Sequence, residues 1–92
     1  MNDLLSIFLR VREAIARPEN DFLWSSWRDA SHALDELDDI IATLRAGQMP
    51  DRPQMGVLFA PTGPIQEVSL SSGWADEFMV LADAFDAAME RM

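Results

Sequence analysis

The sequence predicts an all-α domain: a bundle of three long helices, at about residues 3–16, 26–46 and 73–91, with one or two short helical turns in a Pro/Gly-bracketed connector at about 52–71. Three observations predict it. Apolar residues recur three and four apart in each long window, the period of a helix with one buried face. Four of the five prolines and all four glycines fall between residues 47 and 73, so the chain's helix-breaking residues are concentrated in one connector. The one alternating stretch, Ile65 to Leu70, competes as a strand but has no second strand to pair with.

The first helix places Leu4, Ile7, Phe8, Val11, Ala14 and Ile15 on one stripe, with Asn2 or Asp3 as its N-cap. Arg17-Pro18 ends it, because the residue before proline is pushed out of the α region. Leu5 and Leu9 lie about a third of a turn off that stripe. Either this helix packs on two sides, or the two leucines form an apolar contact surface, for a second copy or another chain. After polar turn residues, Phe22 and Trp24 are expected to tuck back onto the core.

The second helix is expected to start at Ser25 or Ser26, with Ser26 and Asp29 in a capping-box arrangement, and to close at Gly47 as its C′ glycine. Trp27, Ala30, Leu34, Leu37, Ile41 and Leu44 form its apolar stripe. In the connector, Pro53 suits the first turn of a short helix with Met55, Leu58 and Phe59 inward. Pro61-Thr62-Gly63-Pro64 is a turn in which the glycine supplies the backbone angle the turn requires. Ile65, Val68 and Leu70 are the inward candidates beyond it. The last helix, capped by Ser72, carries Trp74, Phe78, Leu81, Phe85, Ala88 and Met92 on its core stripe.

With 92 residues there is room for one domain, residues 1–92, and one modest core. Sixteen carboxylates against seven arginines and no lysine give a net charge of −9. That excludes a nucleic-acid binder, which needs a concentrated basic face, and disfavours an anionic membrane surface. A basic protein partner is compatible with it, since charge complementarity speeds capture and rejects wrong partners. There is no cysteine, so neither disulfides nor thiolate metal sites are available. The N-terminal segment lacks the basic region and small-residue cleavage site of a signal peptide, and no apolar run approaches the ~20 residues of a membrane span; a cytoplasmic protein is expected.

No reactive constellation stands out, so no catalytic residue, cofactor or metal site is expected. His32, the only histidine, falls on the polar face of the second helix, where Glu36 lies one turn on. The carboxylates Asp35, Glu36, Asp38 and Asp39 lack the loop spacing of a calcium site. Like charges one turn apart repel by a few tenths of a kcal/mol, so Asp35, Glu36 and Asp39, with Asp83, Asp86 and Glu90 of the last helix, are either a hydrated surface or a partner-facing acidic patch. Trp24, Trp27 and Trp74 read first as core, and otherwise as the wall of a pocket with Thr62, Gln66 and Glu67 as its polar groups.

The stretch L-F-A-P-T-G-P-I-Q-E-V-S-L-S-S-G-W, residues 58 to 74, resembles the shared segment of a family of short bacterial proteins of unknown function. Trp24-Ser25-Ser26-Trp27 and Phe85-Asp86 match the elements that flank it, so the resemblance spans most of residues 24 to 86. It implies a small stand-alone bacterial protein and no catalytic or binding residue. Three roles follow from the sequence: an acidic interaction or regulatory module, in its sharpest form an immunity- or inhibitor-type protein covering a basic partner; a small-molecule binder or weak enzyme; and a homodimer sealing Leu5 and Leu9.

Overall fold

The computed structural model describes residues 3–61 and 63–91, and over these the chain is helical with no strand. Five helices form: α1 (Asp3–Ile15), α2 (Ala30–Arg45), α3 (Arg52–Phe59), α4 (Pro64–Ser72) and α5 (Ala75–Glu90). The connector is thus two helices of eight and nine residues rather than passing turns, and Ile65 to Leu70 is helical rather than extended. The Cα radius of gyration, 12.3 Å, is that of one compact globule of this length.

Two helix starts differ from expectation. α2 begins four residues late, because Asp29 is its N-cap and accepts the His32 N–H. Ser25 and Ser26 are used elsewhere: Ser25 Oγ accepts the Trp27 N–H, and the Ser26 N–H donates to Glu67. α5 is not capped by Ser72, which ends α4 and accepts the Asp21 N–H. Asp3 opens the first turn of α1, while the alternative cap Asn2 and the stripe residue Met92 lie outside the described residues. Helix ends agree better. Gly47 and Gly73, at φ 77° and 85°, adopt the left-handed conformation that closes α2 and α4 at least cost.

Gly63 is used differently. Its φ is −82°, so it does not supply an angle only glycine can reach. What it supplies is space: a Cβ there would lie 2.2 Å from the Val57 carbonyl oxygen and 3.0 Å from that of Leu58. Both are backbone atoms of the last turn of α3, so α4 can fold back on α3 only where the chain has no side chain.

α1 packs against both α2 and α5, while α4 joins α3 to α5. The core stripe of α1 is buried from Leu4 to Ile15, and Phe8 is the meeting point of three helices. Its ring stands edge-on to Phe59 of α3 at 5.6 Å and to Phe85 of α5 at 6.4 Å, and those two stack at 4.2 Å. Such aromatic contacts add to the transfer free energy of burial. Leu70, expected inward, is 63% exposed because it lies across α4 from Ile65 and Val68.

Two hydrogen-bonded tryptophans fasten the connections. Asn20 donates to the Ala14 and Ile15 carbonyls at 2.7 and 2.9 Å, satisfying the end of α1, and its Oδ1 accepts from Trp74 Nε1 at 2.8 Å. Arg17 lies over the Trp74 ring and pairs with Glu77 through both nitrogens. On the other side, Trp27 Nε1 donates to Glu36 Oε1 at 2.8 Å, and Gln54 Nε2 donates to Glu36 Oε2 at 3.0 Å. One carboxylate therefore holds the loop before α2, α2 itself and α3 together.

Candidate interaction surface

The six carboxylates of the expected acidic patch divide between two helices, three on α2 and three on α5. Glu36 leaves it, because its partly buried side chain is spent on Trp27 and Gln54. His32 correspondingly does not pair with Glu36, and its Nδ1 accepts the Arg28 N–H instead. Asp35 and Asp39 are exposed on α2, Asp39 beside a shallow polar cleft with Met49, Asp51 and Gln54. Asp83, Asp86 and Glu90 are exposed on α5. The cleft beside Asp39 is lined by none of the α5 carboxylates, and the one beside Asp83 and Asp86 by none from α2.

On α5 the acidic row is longer than the sequence reading made it. Asp76, Met79, Asp83, Asp86 and Glu90 follow one another at intervals of three and four, which puts them on one face of the helix, and all five are exposed. Asp76, Asp83, Asp86 and Glu90 make no hydrogen bond or ion pair among the described residues. The ion pairs that do form lie elsewhere: Arg12 with Asp38, Arg17 with Glu13 and Glu77, and Arg91 with Asp3. Asp38 on α2 is held below the ordinary aspartate pKa by its hydrogen bond from Arg12.

Beside this row runs a cleft of about 420 Å³ between α3, the start of α4 and α5. Phe59, Phe78, Phe85 and Ala82 form its apolar floor, while Asp83, Asp86 and Gln66 supply its polar groups. Its volume falls within the range of small-ligand clefts. It is not the pocket the sequence suggested. Of Trp24, Trp27, Thr62, Gln66, Glu67 and Trp74, only Gln66 lines it. Trp27 and Trp74 are buried with their N–H groups satisfied, Glu67 accepts the Ser26 N–H, and Thr62 lies outside the described residues. The three-and-four spacing of the outer face of α5 marks the acidic row on the cleft's rim, but the cleft itself also needs Gly56 and Phe59 of α3, which that spacing does not reach.

Trp24 also departs from expectation. It does not tuck inward: it and Leu23 are 72% and 77% exposed, although Phe22 does pack against the core. Hydrogen bonds hold the chain on either side of them, from the Asp21 N–H to Ser72 and from the Ser26 N–H to Glu67, so both side chains stand out from an anchored loop. Leu5 resolves the other way. It is half-buried against the core, which leaves only Leu9, 38% exposed, of the apolar surface expected on the first helix.

Among the described residues no three histidine, aspartate or glutamate side chains converge to hold a metal ion. No helix among the described residues is long and apolar enough to cross a membrane. No family model, no curated protein and no solved structure matches the chain.

Proposed function

We propose that this bundle of three long helices with a shaped connector is a non-enzymatic interaction or regulatory module that binds a basic protein through the outer face of α5. The observation that carries it is the row of four carboxylates on that face, none of which the fold employs. Carboxylates at three- and four-residue spacing repel one another, at a few tenths of a kcal/mol per pair, and a cationic surface laid along them relieves that repulsion. The net charge of −9 extends the attraction beyond the contact and speeds encounter. An immunity- or inhibitor-type protein is the sharpest form of this role, and a bacterial cytoplasmic setting goes with it.

The test is affinity capture from lysate of the native host at low salt, followed by elution at high salt. Basic proteins should be retained at about 50 mM salt and released by about 500 mM, where the Debye length falls to a few ångströms. Recovery of no basic partner at the lower salt overturns the reading. A second reading, a small-molecule binder, is favoured by one observation alone, the apolar floor and volume of the cleft between α3 and α5.

A further inference from the structure

We infer that the cleft between α3 and α5 is an arginine-recognition pocket: it takes an arginine side chain of the partner, together with an adjacent apolar side chain, between the aromatic floor and the carboxylates of Asp83 and Asp86. This rests on the interaction reading and names the chemistry at its centre. Three features of the cleft select the occupant. Its floor, Phe59, Phe78, Phe85 and Ala82, is apolar and suits a hydrocarbon stem or a neighbouring leucine or methionine. Its carboxylates, Asp83 and Asp86, are one turn apart on α5, about 5–6 Å between Cβ atoms, and neither is neutralised from within the described residues. A planar guanidinium with five donors can serve two carboxylates at that spacing, whereas an ammonium acts as a single hydrated point. The volume, about 420 Å³, has room for more than a lone basic side chain, which is why an apolar neighbour belongs to the occupant.

Charge decides against the other candidates. A second copy would bring −9 toward −9. An anionic lipid surface or nucleic acid would meet the row Asp76, Asp83, Asp86 and Glu90 with charge of the same sign. A protein segment in which arginine adjoins an apolar residue satisfies both the floor and the rim.

The experiment uses the full chain and three probes at low ionic strength: a blocked peptide of alternating leucine and arginine, the same peptide with lysine, and free butylguanidine. Titration followed by amide shifts should give saturable binding of the arginine peptide, with the shifts centred on Gly56, Ala82, Asp83 and Asp86. Lysine should bind more weakly and butylguanidine weaker still. The double variant Asp83→Asn/Asp86→Asn should lose at least about fivefold in affinity, which corresponds to roughly 1 kcal/mol for the two charges. Asp35→Asn/Asp39→Asn, which removes the same charge from α2, should stay within about twofold. Equal losses in the two variants, shifts centred away from the cleft, or no saturable binding overturn the proposal. So does butylguanidine binding as tightly as the peptide, which would make the cleft a small-molecule site. If a basic partner is captured from lysate and Asp83→Asn/Asp86→Asn does not weaken it, the cleft fails while the interaction reading stands. If no partner is captured yet the peptide binds as described, the cleft stands and the physiological reading fails.

Discussion

α2 and α5 are both sixteen residues long and both carry carboxylates, yet the fold treats those carboxylates in opposite ways. Glu36 on α2 has both oxygens occupied, by the Trp27 indole and the Gln54 amide, and it joins three segments. Asp83 and Asp86 on α5 have none occupied and stand beside an apolar cleft. Where donors converge on a partly buried carboxylate, its role in the fold accounts for it without a partner outside the chain. Where a row of carboxylates repels itself on the surface, stability does not account for it. The seam made by α2, α3 and α4 is spent on folding, and the outer face of α5 is free for something else.

The strongest way to sharpen that contrast is to add one carbon to the seam. Gly63→Ala places a Cβ against the Val57 carbonyl oxygen, and because backbone atoms receive it, α4 must move off α3. We expect a loss of about 2–3 kcal/mol or more, the upper range for overpacking, read as a fall in the denaturation midpoint. A melting temperature like that of the wild type would show that the reversal between α3 and α4 has slack. Next in size is Glu36→Ala, which leaves the buried Trp27 N–H and the Gln54 amide without their acceptor. The expected cost is about 1–3 kcal/mol, most of it the penalty for an unsatisfied buried donor, measured by urea unfolding. Glu36→Gln keeps an oxygen for the indole and should cost less. If the two variants lose the same amount, the bonds to Glu36 do not hold the seam.

Much of the helical pattern was legible because it follows from periodicity alone. The stripes of α1, α2 and α5 are buried at Phe8, Leu37 and Phe85 as the three-and-four spacing requires. What was illegible depends on which of several equivalent polar groups finds a partner. Ser26 and Asp29 can each cap a helix; Asp29 does so by accepting the His32 N–H, while the Ser26 N–H is tied to Glu67, forty-one residues away, a contact no local pattern announces. Trp24 and Trp27 have the same intrinsic drive to be buried. Only Trp27, 2% exposed, has an acceptor waiting for its indole N–H. At Gly63 the requirement is space rather than angle, and sequence shows where a side chain is missing but not which of the two demands it. The cleft depends on the approach of α3 to α5, a contact between residues far apart in the chain, and no local pattern encodes it.

The smallest expected effect is the one that tests the contrast from its other side. In Asp83→Asn/Asp86→Asn no hydrogen bond or ion pair is lost, because the described residues offer these carboxylates none. Each asparagine is nearly isosteric and removes one repulsion along α5, from Met79-flanking Asp76 through Glu90. Stability should therefore be unchanged or higher by up to about 0.5 kcal/mol, and the gain should shrink at high salt as screening removes the repulsion from the wild type as well. Thermal melts of both proteins at low and high salt measure it. A loss beyond about 1 kcal/mol at either salt would mean that these carboxylates serve the fold as Glu36 does. The outer face of α5 would then be structure, and the contrast between the two helices would disappear.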